Sequence, residues 1–211
     1  MTNIAMNLEE FLKNPGNYQE LNLKNNKIGV EGAALLAEAL KENNSLTHLN
    51  LKNNNIGVEG AGRLADALKE NNFLTNLDLS FNNIGNKGAR LLADALKENN
   101  FLTNLDLSAN KIENEGAGRL ADALKENNSL TALMLSLNKI GVEGSERLME
   151  VRSHVTTDID AIIKPNVEHL SGEEIEELIS DSGSNIASVY LESGVCNIIC
   201  VSCKKKQKEI L

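Results

Sequence analysis

The sequence contains very few aromatic residues. Its 211 residues include no Trp, two Tyr and four Phe, although apolar residues make up an ordinary 41% of the chain. Aromatic side chains are usually the largest packing units of an irregular core. Their shortage therefore argues against one large core and favours thin, repeated layers of Leu, Ile and Ala.

Cysteines are also scarce and are confined to one place. Cys196, Cys200 and Cys203 fall within eight residues near the end of the chain. This is not the pattern of an extracellular chain held by disulfides, so we expect a reducing compartment. The first residues carry neither a basic flank nor a long apolar run, so no classical signal peptide or membrane anchor is predicted. We expect a cytoplasmic protein, either a scaffold or an effector delivered into another cell.

Positive charge is missing from most of the chain. The formal net charge is −9, and no basic stripe crosses the first 200 residues. Binding to a phosphate backbone requires such a stripe, so nucleic acid is not an expected partner.

What the chain does contain is a strict repeat of 28 residues. The phrase Leu-x-Leu-x-x-Asn recurs five times, and each copy ends in an Asn of one column: Asn26, Asn54, Asn82, Asn110 and Asn138. The units are 18–45, 46–73, 74–101, 102–129 and 130–157. A unit of this size cannot bury its apolar face alone, so its neighbours must cover it and the units stack into a solenoid.

Each unit predicts one strand and one helix. In 46–73, apolar and polar residues alternate up to Leu51 as in a short strand, and Asn54 stands where hydrogen bonds to buried backbone groups of the turn are needed. Gly57 and Gly60 are expected to supply backbone freedom. Apolar residues at helical spacing follow as far as Leu68. In Lys69-Glu-Asn-Asn72, an Asn in the left-handed conformation is expected to end the helix.

The full phrase Leu-x-x-Leu-x-Leu-x-x-Asn-x-Ile-Gly-x-x-Gly-Ala-x-x-Leu-Ala-x-Ala-Leu resembles the ribonuclease-inhibitor-like subfamily of leucine-rich repeats. The resemblance covers residues 18 to about 151. It implies an α/β leucine-rich-repeat solenoid, or horseshoe, with parallel β-strands on the concave face and α-helices on the convex face.

The two ends depart from the repeat. Residues 1–17 place Leu8, Phe11 and Leu12 at helical spacing and predict an N-terminal helical cap. Residues 158–211 are predicted to be degenerate repeats 6 and 7 or a C-terminal capping region, because several positions there keep the phase of 28 residues. In that interpretation Ser171-x-x-Glu174 is a capping box, and the strand of the seventh repeat begins at Ile186.

Candidate binding residues are found in the columns that flank the repeated leucines. A residue that only maintains the fold would be uniform down its column, whereas these columns change from polar to acidic to apolar along the array. Such a surface with an apolar part is typical of an interface. The predicted partner-binding residues on the concave face are His48, Asn50, Lys52, Asn76, Asp78, Ser80, Phe81, Asn104, Asp106, Ser108, Met134 and Leu137.

No catalytic, cofactor or metal site is predicted. The three histidines lie in different units, and neither a nucleophile motif nor a phosphate loop is present. The spacing Cys196-x-x-x-Cys200-x-x-Cys203 could hold an iron–sulfur cluster or, beside Lys204-Lys-Lys206-Gln-Lys208, carry a lipid. The preferred interpretation is an apolar strand in which Cys is a small hydrophobic residue.

The sequence therefore predicts a non-enzymatic, monomeric module that binds a protein partner through its concave face. The alternative is a regulator of a small GTPase, because Ran GTPase-activating protein belongs to the same repeat subfamily. No residue of that activity can be carried over to this chain.

Overall fold

The computed structural model describes residues 3–151, 155–157, 186–192 and 195–200. Helix α1 spans Asn3–Lys13 and is followed by a 3-10 turn at Pro15–Asn17. Strands and helices then alternate. The strands are β1 Glu20–Asn22, β2 His48–Asn50, β3 Asn76–Asp78, β4 Asn104–Asp106, β5 Ala132–Met134 and β6 Thr156–Thr157. The helices are α2 Gly29–Glu42, α3 Gly57–Glu70, α4 Gly85–Glu98, α5 Asn114–Glu126 and α6 Val142–Glu150.

The first six strands form one parallel sheet in sequence order. Adjacent strands pair residues 28 apart, as Leu21 with Leu49 and Leu49 with Leu77, up to β5. The predicted α/β solenoid of parallel strands and helices is therefore confirmed. The strands are three residues long, because only the central Leu of each is directed into the core.

The core is built from the same positions in every unit. Leu74, Leu77, Leu79, Ile84 and Leu92 of the third unit are 0–3% exposed. Alanines such as Ala93 and Ala95 are buried on the helical side, where their small side chains let neighbouring helices pack closely. These layers need no aromatic residue, which accounts for the unusual composition.

The predicted Asn column forms a continuous series of hydrogen bonds, here called the first asparagine ladder (Asn54, Asn82, Asn110 and Asn138). Asn82 is fully buried. Its Oδ1 accepts from the backbone N–H of Asn54 at 2.9 Å, and its Nδ2 donates to the carbonyls of Leu51 and Leu79. One side chain thus joins the turn of its own repeat to the turn of the preceding repeat.

A second asparagine ladder (Asn43, Asn71, Asn99 and Asn127) lies at the other end of the strands. Here the prediction of a left-handed Asn after the helix is wrong. Asn71 is extended, with φ −78° and ψ 127°, and is 2% exposed. Its Nδ2 donates to Leu40 O at 2.7 Å, and its Oδ1 accepts from the backbone N–H of Leu74 at 2.8 Å. The buried carbonyl of the preceding repeat decides the conformation.

Of the two glycines predicted to supply backbone freedom, only Gly57 has a positive φ, of +64°. Gly60 lies inside α3, and a Cβ there would come within 2.5 Å of Ile56 Cγ2. Gly60 is therefore required for close packing of the helix on the Ile of its own repeat.

At the N-terminal end, α1 packs its apolar face on the first layer. Phe11 is fully buried and lies edge-on to the ring of Tyr18, with 5.8 Å between the ring centroids. Among the residues that the structure describes, Asn26 Oδ1 is the one buried side-chain polar atom that lacks a hydrogen-bond partner. Later members of the column use this oxygen to accept from a preceding repeat, and no such repeat precedes Asn26.

The C-terminal end leaves the period earlier than predicted. Thr157, not Ala161, pairs with Leu133, so the phase of 28 residues is not kept at β6. Helix α6 has 9 residues where α2, α3 and α4 have 14. Arg152 takes the position that Leu occupies in the earlier helices, so the helix ends before it and Val151 and Val155 are buried instead.

Two further strands pair with each other. Strand β7, Ile186–Glu192, is antiparallel to β8, Val195–Cys200, whereas a seventh repeat would require a parallel strand. The predicted sixth unit, its capping box and Cys203 lie outside the described residues. A C-terminal capping role for this region stays a prediction.

Removing the Asn82 carboxamide tests the first ladder. We expect Asn82→Ala to lower the free energy of unfolding by about 1–3 kcal/mol, because buried N–H and C=O groups of two repeats lose their partners. Asn26→Ala is the matched control and should cost less, because its Oδ1 accepts no hydrogen bond. Urea unfolding followed by circular dichroism measures both. Equal losses would show that the ladder does not explain the effect.

Candidate functional site on the concave face

A groove of about 430 Å³ lies across the sheet and is lined by residues of strands β1 to β5. Side chains alternate between the two faces of a strand, so residues on either side of each buried Leu face the groove. The lining residues are Glu20, Leu21, Asn22, His48, Leu49, Asn50, Asn76, Leu77, Asp78, Asn104, Leu105, Asp106, Ala132 and Met134. We call this set the strand groove.

The structure brings most of the predicted binding residues together. His48, Asn50, Asn76, Asp78, Asn104, Asp106 and Met134 line the strand groove. Lys52, Phe81 and Leu137 lie just beyond the strands, at the loops that begin after them, and we call these three the loop edge.

Ser80 and Ser108 are a correction to the predicted set. Ser80 is fully buried and Ser108 is 8% exposed. The hydroxyl of Ser80 donates to Asp78 Oδ1 at 2.6 Å, and Ser108 Oγ lies 3.3 Å from Ser136 Oγ. The Lys residues of the same column are more accessible because their long side chains extend out of the turn. The two serines therefore support the turn and do not present a surface to a partner.

Asp78 and Asp106 each use one carboxylate oxygen locally. Oδ1 of Asp78 accepts from the backbone N–H of Ser80 at 2.9 Å, and Oδ1 of Asp106 accepts from that of Ser108 at 2.8 Å. Oδ2 of both residues has no hydrogen-bond partner within the described part of the chain. The two side chains are directly paired across β3 and β4, so the middle of the groove is acidic.

The neighbouring column is oriented by threonine hydroxyls. Thr75 Oγ1 donates to Asn76 Oδ1 at 2.8 Å, and Thr103 Oγ1 donates to Asn104 Oδ1 at 2.7 Å. The NH₂ groups of Asn76 and Asn104 form no hydrogen bond to any other described residue. They are hydrogen-bond donors for a bound molecule beside the two carboxylates.

The loop edge holds apolar side chains in a left-handed backbone conformation. Phe81 has φ +60° and Leu137 has φ +58°, and they are 42% and 67% exposed. Lys52 Nζ lies 4.9 Å from the centroid of the Phe81 ring. Bulky residues rarely adopt positive φ, so an exposed Leu or Phe here is unfavourable for the fold. Sequence reasoning did not foresee this strain, although the Asn residues at positions 25 and 53 of the same column are typical of it.

The site offers polar and apolar contacts but no evident reaction chemistry. No group of three or more His, Cys, Asp or Glu that could hold a metal ion occurs among the described residues. No helix in the part of the chain that the structure describes is long and apolar enough to span a membrane.

Comparison with protein families decides the classification. A family model described as "Leucine Rich repeat" matches residues 19–37, 42–65, 70–93, 98–121 and 126–149. The chain is a leucine-rich-repeat protein. Each matched segment covers one strand and most of the helix after it, so the family and the sheet register describe the same unit. Assignment to the ribonuclease-inhibitor-like subfamily stays a prediction.

Solved structures share the fold of this leucine-rich-repeat protein. The structure of "Leiomodin-1 Actin-Binding Site 2 (ABS2)" is 23% identical, with a TM-score of 0.59 over 86% of this chain and 97% of that one. The tropomodulin C-terminal domain of Caenorhabditis elegans is 14% identical, with a TM-score of 0.46 over 86% of this chain and 99% of that one. No curated protein matches the sequence. Leucine-rich-repeat domains are typically non-catalytic interaction modules, and the fold supports a protein partner.

The strain at the loop edge generates a stability prediction. We expect Leu137→Asn to raise the free energy of unfolding by about 0.5–1 kcal/mol, because Asn tolerates positive φ better than Leu. Leu137→Ala is the control, since it removes the same apolar surface without relieving the backbone. Thermal melts of the three proteins decide the outcome. A stabilisation by Ala as large as that by Asn would contradict the role of strain.

Proposed function

We propose that this leucine-rich-repeat protein is a non-enzymatic module that binds a protein partner through the strand groove and the loop edge. The supporting observation is the groove itself, which crosses five strands and whose polar, acidic and apolar residues follow one another along the array. Its role would be that of a cytoplasmic scaffold or of an effector delivered into another cell.

The charges of the convex side support this choice of face. Lys69 Nζ lies 2.9 Å from Glu98 Oε1, and Lys97 Nζ lies 2.7 Å from Glu126 Oε1, so successive helices neutralise one another. Asp78 and Asp106 form no ion pair with any described residue. The groove thus carries charge that the fold leaves available, whereas the helices use much of theirs internally.

The dimensions of the groove also indicate a protein partner. Fourteen residues line it, whereas a standard interface uses about 20–30 residues a side. A partner must therefore contact the loop edge as well, where Leu137 and Phe81 provide apolar area. The strain at these two residues suits a binding role, because strained positions are often found at functional sites.

Affinity capture with two variants of matched substitutions tests the proposal. The groove variant combines Asp78→Lys, Asp106→Lys and Met134→Lys. The convex variant combines Asp66→Lys, Asp94→Lys and Val142→Lys at exposed positions of the helices. Each is used as bait in a cytosolic lysate beside the wild type, with captured proteins identified by mass spectrometry.

We expect a partner that the wild type and the convex variant capture and the groove variant loses. Circular dichroism melts confirm that both variants fold. Loss with the convex variant alone, or identical captures, would contradict binding through the groove. Purified actin is one candidate to include, since the leiomodin-1 structure is that of an actin-binding site, but that likeness indicates the fold alone. If a small GTPase is captured, its rate of GTP hydrolysis distinguishes stable binding from regulation.

A further inference from the structure

Asp78 and Asp106 carry negative charge that the fold does not need. In the first two repeats, Asn22 and Asn50 occupy the same column and accept the same backbone N–H, at 3.1 and 3.0 Å. The distances for Asp78 and Asp106 are 2.9 and 2.8 Å. A neutral carboxamide therefore serves the turn as well as a carboxylate does, and the change to Asp at two adjacent strands requires another reason.

The two carboxylates are unfavourable together in the free protein. They are directly paired across adjacent parallel strands, which lie about 4.8 Å apart in a sheet. Like charges placed opposite each other destabilise a sheet. The nearest rung of the Lys column does not compensate them, because Lys52 Nζ is over the Phe81 ring. A cation from outside would relieve this repulsion.

Resting on the proposed function, we propose that Asp78 and Asp106 form a recognition site for an Arg or Lys side chain of the partner segment. The free Oδ2 atoms of the two residues can accept hydrogen bonds from one guanidinium group, whose several donors suit paired carboxylates. The NH₂ groups of Asn76 and Asn104 are in position for carbonyl oxygens of the same segment. Met134 and Leu137 lie on the following repeat, so an apolar side chain next to the cation completes the match.

The occupant is a polypeptide and not a free ion. Among the described residues no set of three metal-binding side chains surrounds the two carboxylates. The groove extends over five strands, and an extended segment of about ten residues, roughly 33 Å long, would cover it. An acidic centre with an apolar end therefore fits a basic segment that also carries an apolar residue.

Selection from a display library of random peptides about ten residues long, a length that covers the groove, tests the proposal. Three baits are compared: the wild type, Asp78→Asn with Asp106→Asn, and Asp66→Asn with Asp94→Asn. The first variant keeps the backbone hydrogen bonds of the column and loses only charge. The second loses the same charge from exposed positions on the helices, so it controls for the net charge of the protein.

We expect the wild type and the helix variant to select peptides enriched in Arg or Lys beside an apolar residue, and the groove variant to lose that enrichment. Fluorescence anisotropy then compares a selected Arg peptide with its neutral citrulline form. Binding to the wild type should weaken about tenfold with citrulline, as expected for a charged hydrogen bond. Asp78→Asn with Asp106→Asn should weaken the Arg peptide by a similar factor.

Equal enrichment with all three baits, no selected peptide at all, or equal affinity of the Arg and citrulline forms would overturn the cation site. The proposed function is judged separately. A partner that is lost with Met134→Lys but retained by Asp78→Asn with Asp106→Asn would leave groove binding standing while removing the role of the two carboxylates.

Discussion

Hydrogen bonding by buried asparagine carboxamides is the constraint on which this fold depends. Every repeat turns twice, and each turn leaves backbone N–H and C=O groups in a dry layer where an unpaired group is costly. Asn82 at one end of the strands and Asn71 at the other satisfy donors and acceptors of their own repeat and of the preceding one. Because each bond crosses a repeat boundary, the two ladders fix the spacing of the units as well as their turns.

The interior of the array could be predicted from the sequence because the period repeats the same physical problem. The Leu positions and the Asn column give the strands, their parallel register and the buried face of each helix. The ends could not be predicted in this way. At β6 the period carries no information about where a helix stops, and the polar Arg152 in place of a Leu shortens the unit. At Asn26 the ladder has no preceding repeat to satisfy.

The local conformations that sequence reasoning misses share one cause. A left-handed conformation is expected at Asn71 because Asn tolerates it, yet the carbonyl of Leu40 takes its side chain and holds the backbone extended. Positive φ occurs instead at Phe81 and Leu137, where residue preference argues against it. In both cases the hydrogen bonds of the loop override the preference of the single residue, and these bonds become visible only once neighbouring repeats are stacked.

Predicting the site works where a column varies for reasons other than folding. The variation of the columns places Asn76, Asp78, Asn104, Asp106 and Met134 on one accessible face. It also selects Ser80 and Ser108, whose variation reflects what the turn can bury and not what a partner can contact. The distinction lies in the role that each residue type can replace. Asn and Asp cap the same backbone N–H, so exchange between them leaves the turn intact and changes only charge. Surface information in a repeat protein is therefore concentrated at positions where the fold accepts several residues equally well and a partner would not.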